Sequence, residues 1–154
     1  MKVYAIQGSD LLPFLKQRLV GDSSFRLYTH ILTEPFISFF CSLPLQVKKT
    51  SMVFLDENKR GINDYAARKL LECGYRDVFY TPNLHAKVLL TPTFTVIGSA
   101  NFSSRALTQN FEVILVIEGN YILIGNLVGV VRRIHTYSMR VTLDMVSDSV
   151  VDKS

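Results

Sequence analysis

His85 and Lys87 stand two apart in "LHAKVLL", and Gly98, Ser99 and Asn101 follow in "GSAN". Glu112 sits further on, in "NFEVILV". On an extended chain, residues two apart point to the same side. His85 and Lys87 would then share one face, and Ser99 and Asn101 another. If the two segments form an antiparallel hairpin through "TPT", all four converge at one end of a sheet. Lys87 offers a point charge to a phosphate oxygen. Ser99 and Asn101 offer neutral donors. A neutral histidine at physiological pH is a nucleophile or a base. Glu112 would hold His85 in one tautomer, as the acid of a catalytic triad does. Gly98 admits a close backbone or ligand where strand turns to loop. The set reads as a metal-free pocket for a phosphodiester.

Asp56 and Glu57 end a strand, a place where metal-binding carboxylates often sit, but no second acidic cluster accompanies them, so they read as a solvated loop rather than a Mg²⁺ site. No metal or other cofactor is expected. His30 and His135 have no lysine two residues on, and they read as ordinary core or surface histidines.

The elements that must position these residues follow from periodicity. Strands are expected over 2–6, 25–32, 50–56, 77–81, the two arms of the hairpin, and 111–118. Helices are expected from Asp10 as N-cap through Val20, over 33–43 with Thr33 as N-cap, over 62–74 with Gly74 at its end, and over 121–137. "GDSS" at 21–24 breaks the first helix. The tail over about 138–154 is weakly patterned and is expected to fray. Helices and strands alternate early and strands cluster late. This predicts an α/β fold with a mixed sheet flanked by helices on both faces. The length of 154 residues fits one domain spanning 1–154.

The chain is 48% hydrophobic and 19% charged, with net charge +4. That balance allows a sizeable core and permits a polyanionic partner without requiring one. Cys41 and Cys73 read as separate buried thiols in a reducing compartment. "YILIGNLVGVV" is too short to span a bilayer, and no secretory signal is legible. The expectation is a cytoplasmic protein with no membrane partner.

"HAK", "GSAN" and "NFE" together resemble the HKD motif of the phospholipase D superfamily: an H-x-K, a later D, then a G-S and an N, with a Glu beyond. The element order from Phe25 onward is similar too. Two departures stand out. Pro92 occupies the place of the motif Asp, and the His-to-Gly segment is one residue short. The resemblance implies a phospholipase D-like fold and a two-step reaction through a phosphohistidine. The absent Asp weakens a lipase reading more than a nuclease one, since DNA-processing branches of the superfamily lack it.

That reaction uses two histidines from two motifs, and this chain carries one. The resemblance therefore implies a homodimer with one site on its two-fold axis, as in small single-motif nucleases of the superfamily. Arg105 and Asn110, with Gly98, are the expected substrate-binding residues, and Lys48, Lys49, Lys59 and Arg60 could meet a nucleic-acid backbone. The first reading is a metal-independent endonuclease on DNA or RNA. A phospholipid-hydrolysing or phosphatidyl-transfer enzyme of the same superfamily, and a catalytically weak nucleic-acid-binding paralogue, remain open.

Overall fold

The computed structural model describes residues 2–19 and 24–147. Eight strands form one sheet: β1 (Val3–Ile6), β2 (Arg26–Thr29), β3 (Met52–Asp56), β4 (Asp77–Thr81), β5 (Lys87–Leu90), β6 (Phe94–Gly98), β7 (Ile114–Glu118) and β8 (Met139–Arg140). Their spatial order is β1-β7-β6-β5-β2-β3-β4-β8. β2, β3 and β4 run parallel, and every other neighbouring pair is antiparallel. The expected mixed sheet is what the chain forms.

Period-two alternation divides the strands between two cores. Leu27, Val53, Leu55, Val78, Tyr80, Leu89, Phe94 and Val96 turn to the larger one. It is closed by α1 (Gly8–Arg18), α2 (Phe36–Cys41), α4 (Arg60–Glu72), α5 (Ser104–Thr108) and α7 (Leu143–Val146), while α3 (Leu45–Thr50) contributes Val47. Tyr28, Phe54, Val88 and Leu90 turn to the other side, where α6 (Leu127–Thr136) covers them with Val131. On that face Tyr28, Phe54 and Phe79 stack across the parallel strands with centroids 4.8 Å apart at each step. His135 lies on Phe54 at 4.5 Å, and its Nε2 meets the Tyr28 hydroxyl at 2.7 Å. His135 is half-buried, and burial lowers its pKa, which favours the neutral ring. Burial likewise pushes the Tyr28 hydroxyl up to about 12.

Several boundaries differ from the expected ones. The first helix is capped at Gln7. Asp10 stands three residues in, and its carboxylate accepts from the Gln7 amide at 3.1 Å. Val20 and residues 21–23 lie outside the described residues. The second helix begins after Pro35, and the Thr33 carbonyl accepts from Phe36 and Ile37. The expected strand over 111–118 starts only at Ile114, and the helix expected over 121–137 is a 3₁₀ turn at Tyr121–Leu123 followed by α6. Part of the tail is ordered by partners. Met139–Arg140 pairs with β4, and Val141 and Val146 are buried; residues 148–154 lie outside the described residues.

Cys41 and Cys73 are joined in a disulfide with Cα atoms 5.7 Å apart, not kept as separate thiols. The bond ties the end of α2 to the end of α4. Gly74 follows with φ +120°, a conformation that an L side chain rarely adopts.

Candidate active site

Strand direction gathers the site at one edge of the sheet. β2 and β3 end there, and His30 and Asp56 lie at their C-terminal ends. β5 runs antiparallel to β2 and begins there, so His85 and Lys87 arrive at the same edge. β6 ends there with Gly98, and β7 begins there just after Glu112. Ligand sites of α/β sheets lie outside the C-terminal ends of parallel strands. This edge is that location for β2 and β3.

His85 is exposed and precedes β5, so strand alternation does not set its orientation. Its imidazole stacks instead on that of His30, with ring centroids 4.3 Å apart and planes tilted by 33°. Lys87 is half-buried, opposite Thr29 in the ladder, and its Nζ reaches the His85 carbonyl at 3.4 Å. The ammonium is thus held beside the nucleophile candidate.

Gly98 is required by a close approach. A Cβ there would lie 2.2 Å from the Val113 carbonyl oxygen and 2.9 Å from Ile114 Cα. Ser99 is locked to the same segment. Its amide donates to the Val113 carbonyl at 3.0 Å, and its Oγ accepts from the Val113 amide at 3.0 Å. The Ser99 hydroxyl lies 3.3 Å from a Glu112 carboxylate oxygen. Glu112 is half-buried, and its hydrogen-bond partner among the described residues is Ser99, where the sequence suggested His85.

Asn101 lies just past Ser99, and its Oδ1 is buried without a hydrogen-bond partner. Such an orphan acceptor is costly unless a ligand or water donates to it. Asn101, Arg105 and Asn110 line one cleft of about 620 Å³, together with Thr33, Ser103 and Ser104. Arg105 and Asn110 are exposed. A parallel bridge between Leu32 and Phe102 lays the chain after His30 along the chain after Ser99, so the cleft is lined by Ile31 and Thr33 on one side and Asn101 on the other, while His30, His85 and Lys87 lie outside its lining.

Sequence reasoning missed His30. Its Nδ1 lies 2.7 Å from Asp56 Oδ2 and 3.2 Å from the Leu84 carbonyl oxygen. Asp56 is 2% exposed, and its Oδ1 accepts from the Asn58 and Leu84 amides at 2.9 and 3.3 Å. Both carboxylate oxygens are therefore engaged by the protein. Among the described residues no group of three or more His, Cys, Asp or Glu side chains gathers around a common point. A legible signal existed: two parallel strands, "FRLYTH" and "MVFLD", end in a histidine and an aspartate, and in-register pairing puts those ends side by side.

The basic residues divide. Lys48 is buried, with its Nζ donating to the Cys41 carbonyl at 3.1 Å. Arg60 is spent on Asp64 at 3.0 Å and on the Met145 carbonyl at 2.9 Å; its hydrogen bond to Asp64 raises its pKa. Neither is free for a polyanion. Lys59 and Arg105 are exposed, and Lys49 is half-exposed. The loop carrying Lys59 is tied to the motif's approach by Asn58 Nδ2 donating to Asn83 Oδ1 at 2.8 Å. Among the described residues no helix is long and apolar enough to cross a membrane.

Comparison with known proteins agrees with the fold. The family described as "Cardiolipin synthase, PLD-like domain" matches residues 46–131, more than half of the chain. No curated protein sequence matches it. Among solved structures, the chain is similar to Nuc from Salmonella typhimurium, a phospholipase D family member (TM-score 0.73, 18% identity, 91% of this chain and 96% of that one). It is similar to NucT from Helicobacter pylori (TM-score 0.68, 15% identity, 91% and 99%). It also resembles TrmBL2, an archaeal chromatin protein whose structure is described as showing a novel mode of DNA binding (TM-score 0.60, 9% identity, 92% and 55%).

Proposed function

Since the chain belongs to the phospholipase D-like family, we propose that it is a phosphodiesterase that hydrolyses DNA or RNA through His85. The observation that carries this reading is the convergence of His85 and Lys87 with Gly98, Ser99 and Asn101 at one sheet edge, beside a cleft lined by Asn101, Arg105 and Asn110. In the first step a ring nitrogen of His85 attacks phosphorus, and the bond to the leaving oxygen breaks. Lys87 neutralises charge on the non-bridging oxygens, while Ser99 and Asn101 donate hydrogen bonds to them. The leaving alkoxide takes a proton from a second histidine. In the second step that histidine removes a proton from water, whose oxygen attacks phosphorus and releases His85.

In-line displacement puts the acid across the phosphate from the nucleophile. The partner's His85, in a homodimer with the site on its two-fold axis, meets that requirement. Phe111 and Val113, at 105% and 67% exposure, flank Ser99 and Glu112 with apolar surface suited to a second copy. Nucleic acid as substrate is supported by the net charge of +4, by exposed Arg105 in the cleft and by the DNA binding stated for TrmBL2.

The test is a digestion panel in EDTA over single- and double-stranded DNA and RNA, with phosphatidylcholine vesicles alongside, for wild type and His85→Ala. Cleavage of at least one nucleic acid, lost in the variant, supports the reading. Cleavage of the lipid alone would replace it with the phospholipid-hydrolysing alternative.

A further inference from the structure

The histidine that faces His85 within its own chain has no role in the reaction above. We infer that His30 is a positioning residue for the nucleophile, anchored by Asp56; this rests on the reading of His85 as that nucleophile.

The anchor is complete on one side. Nδ1 of His30 faces two acceptors, the Asp56 carboxylate and the Leu84 carbonyl, so the proton sits on Nδ1. The side chain is only 13% exposed, and that of Asp56 only 3%. The imidazole is therefore fixed in orientation and tautomer, as an orienting carboxylate fixes a metal-bound or catalytic histidine.

The pair also grips the chain that carries His85. The Leu84 amide donates to Asp56 and the Leu84 carbonyl accepts from His30, so both polar groups of the residue before the nucleophile are tied down. Asn63 closes the arrangement. Its Nδ2 donates to the His30 and Asp56 carbonyls at 2.9 and 3.1 Å, and its Oδ1 accepts from the Leu32 amide at 3.1 Å. Asn63 is fully buried. His85 itself, exposed and preceding β5, has no hydrogen bond from its ring among the described contacts. The fixed His30 ring is the surface against which its plane is set.

The geometry does not suit His30 to the acid's task. A ring stacked on the nucleophile lies on the nucleophile's side of phosphorus, whereas the leaving group departs on the opposite side. Nε2 of His30 points away from Asp56 and is without a protein partner among the described contacts, but its effect on the reaction runs through the orientation of His85.

Two substitutions separate the stack from the hydrogen bond. His30→Asn keeps a donor near the Nδ1 position for Asp56 and removes the ring. His30→Phe keeps a ring and leaves Asp56 without its partner. The assay is hydrolysis of bis(4-nitrophenyl) phosphate, with thermal unfolding as a fold control and NMR of the His85 ring protons, assigned through His85→Ala. Positioning through the stack predicts that His30→Asn melts close to wild type but loses about 10- to 100-fold in kcat, with KM within about twofold. His30→Phe melts lower and recovers part of kcat. The His85 ring signals, displaced by the ring current of His30, move in the Asn variant. Wild-type kcat and unmoved His85 signals in His30→Asn overturn the inference. A wild-type protein that hydrolyses no phosphodiester, while those signals still move, removes the hydrolytic reading and supports the stacked pair.

Discussion

Replacing Gly98 by alanine tests the link between fold and site at its tightest point. The added Cβ would meet the Val113 carbonyl oxygen at 2.2 Å, the Val113 carbonyl carbon at 3.1 Å and Ile114 Cα at 2.9 Å. All three are backbone atoms, so no side chain can rotate away. Carbon atoms settle at about 3.5–4.0 Å, so the start of β7 must retreat by roughly 1 Å. Overpacking of this kind costs about 1–3 kcal/mol, and a backbone neighbour places Gly98→Ala at the upper end. At about 2–4 °C per kcal/mol for a chain of this size, the melting temperature should fall by about 6–12 °C. Activity should fall further than stability, because the Ser99–Val113 hydrogen bonds and the Ser99–Glu112 contact sit on the displaced segment. Thermal unfolding by circular dichroism, with hydrolysis measured well below the transition, reads both effects. A melting temperature within about 2 °C of wild type would refute the reasoning, since an ordinary tolerated substitution shifts stability by no more than about 0.5 kcal/mol.

Alkaline pH should unfold the protein through its buried tyrosines. Unfolded tyrosine ionises near pH 10, whereas burial holds Tyr28 protonated to about 12 and also raises Tyr75 and Tyr80. Their stabilising contribution is intact below about pH 10 and is lost as pH rises through the folded values, so the urea midpoint should drop between about pH 10 and pH 12 and drop less in Tyr28→Phe. Arg105→Ala should reduce the slope of log K against log[salt] for oligonucleotide binding by about one, while Lys48→Met leaves it unchanged because that ammonium is buried on Cys41; fluorescence anisotropy measures both. A mixed dimer of wild-type and His85→Ala chains should be nearly inactive if the two copies share one site, whereas independent sites would leave about half the activity.

Much of the scaffold was legible because local pattern and tertiary demand agree. β4 has the expected bounds, and Lys87–Leu90 and Phe94–Gly98 form the expected hairpin, although its first arm starts two residues after His85. The H-x-K and G-S-x-N residues were legible from type and spacing. What was hidden depends on distance in space. His30 and Asp56 meet only because β2 and β3 pair in register, and a histidine without a lysine two residues on gives no sign of that. The bond between Cys41 and Cys73 likewise needs the ends of α2 and α4 brought together. Strand parity carried Glu112 toward His85. The strand begins two residues later, and Glu112 turns to Ser99. Lys48 and Arg60 stood as candidates for a nucleic-acid backbone because sequence does not show which carbonyls and carboxylates fold around them.

The central claim is that His85 is the nucleophile in phosphodiester hydrolysis. The most direct measurement is rapid acid-free quenching of the protein during turnover of a nucleic-acid substrate, followed by peptide mass spectrometry for an acid-labile phosphoramidate adduct that still carries the retained nucleotide. The account predicts an adduct on His85, absent in His85→Ala, which should also lose turnover. An adduct on a different residue, or wild-type turnover by purified His85→Ala, would contradict it.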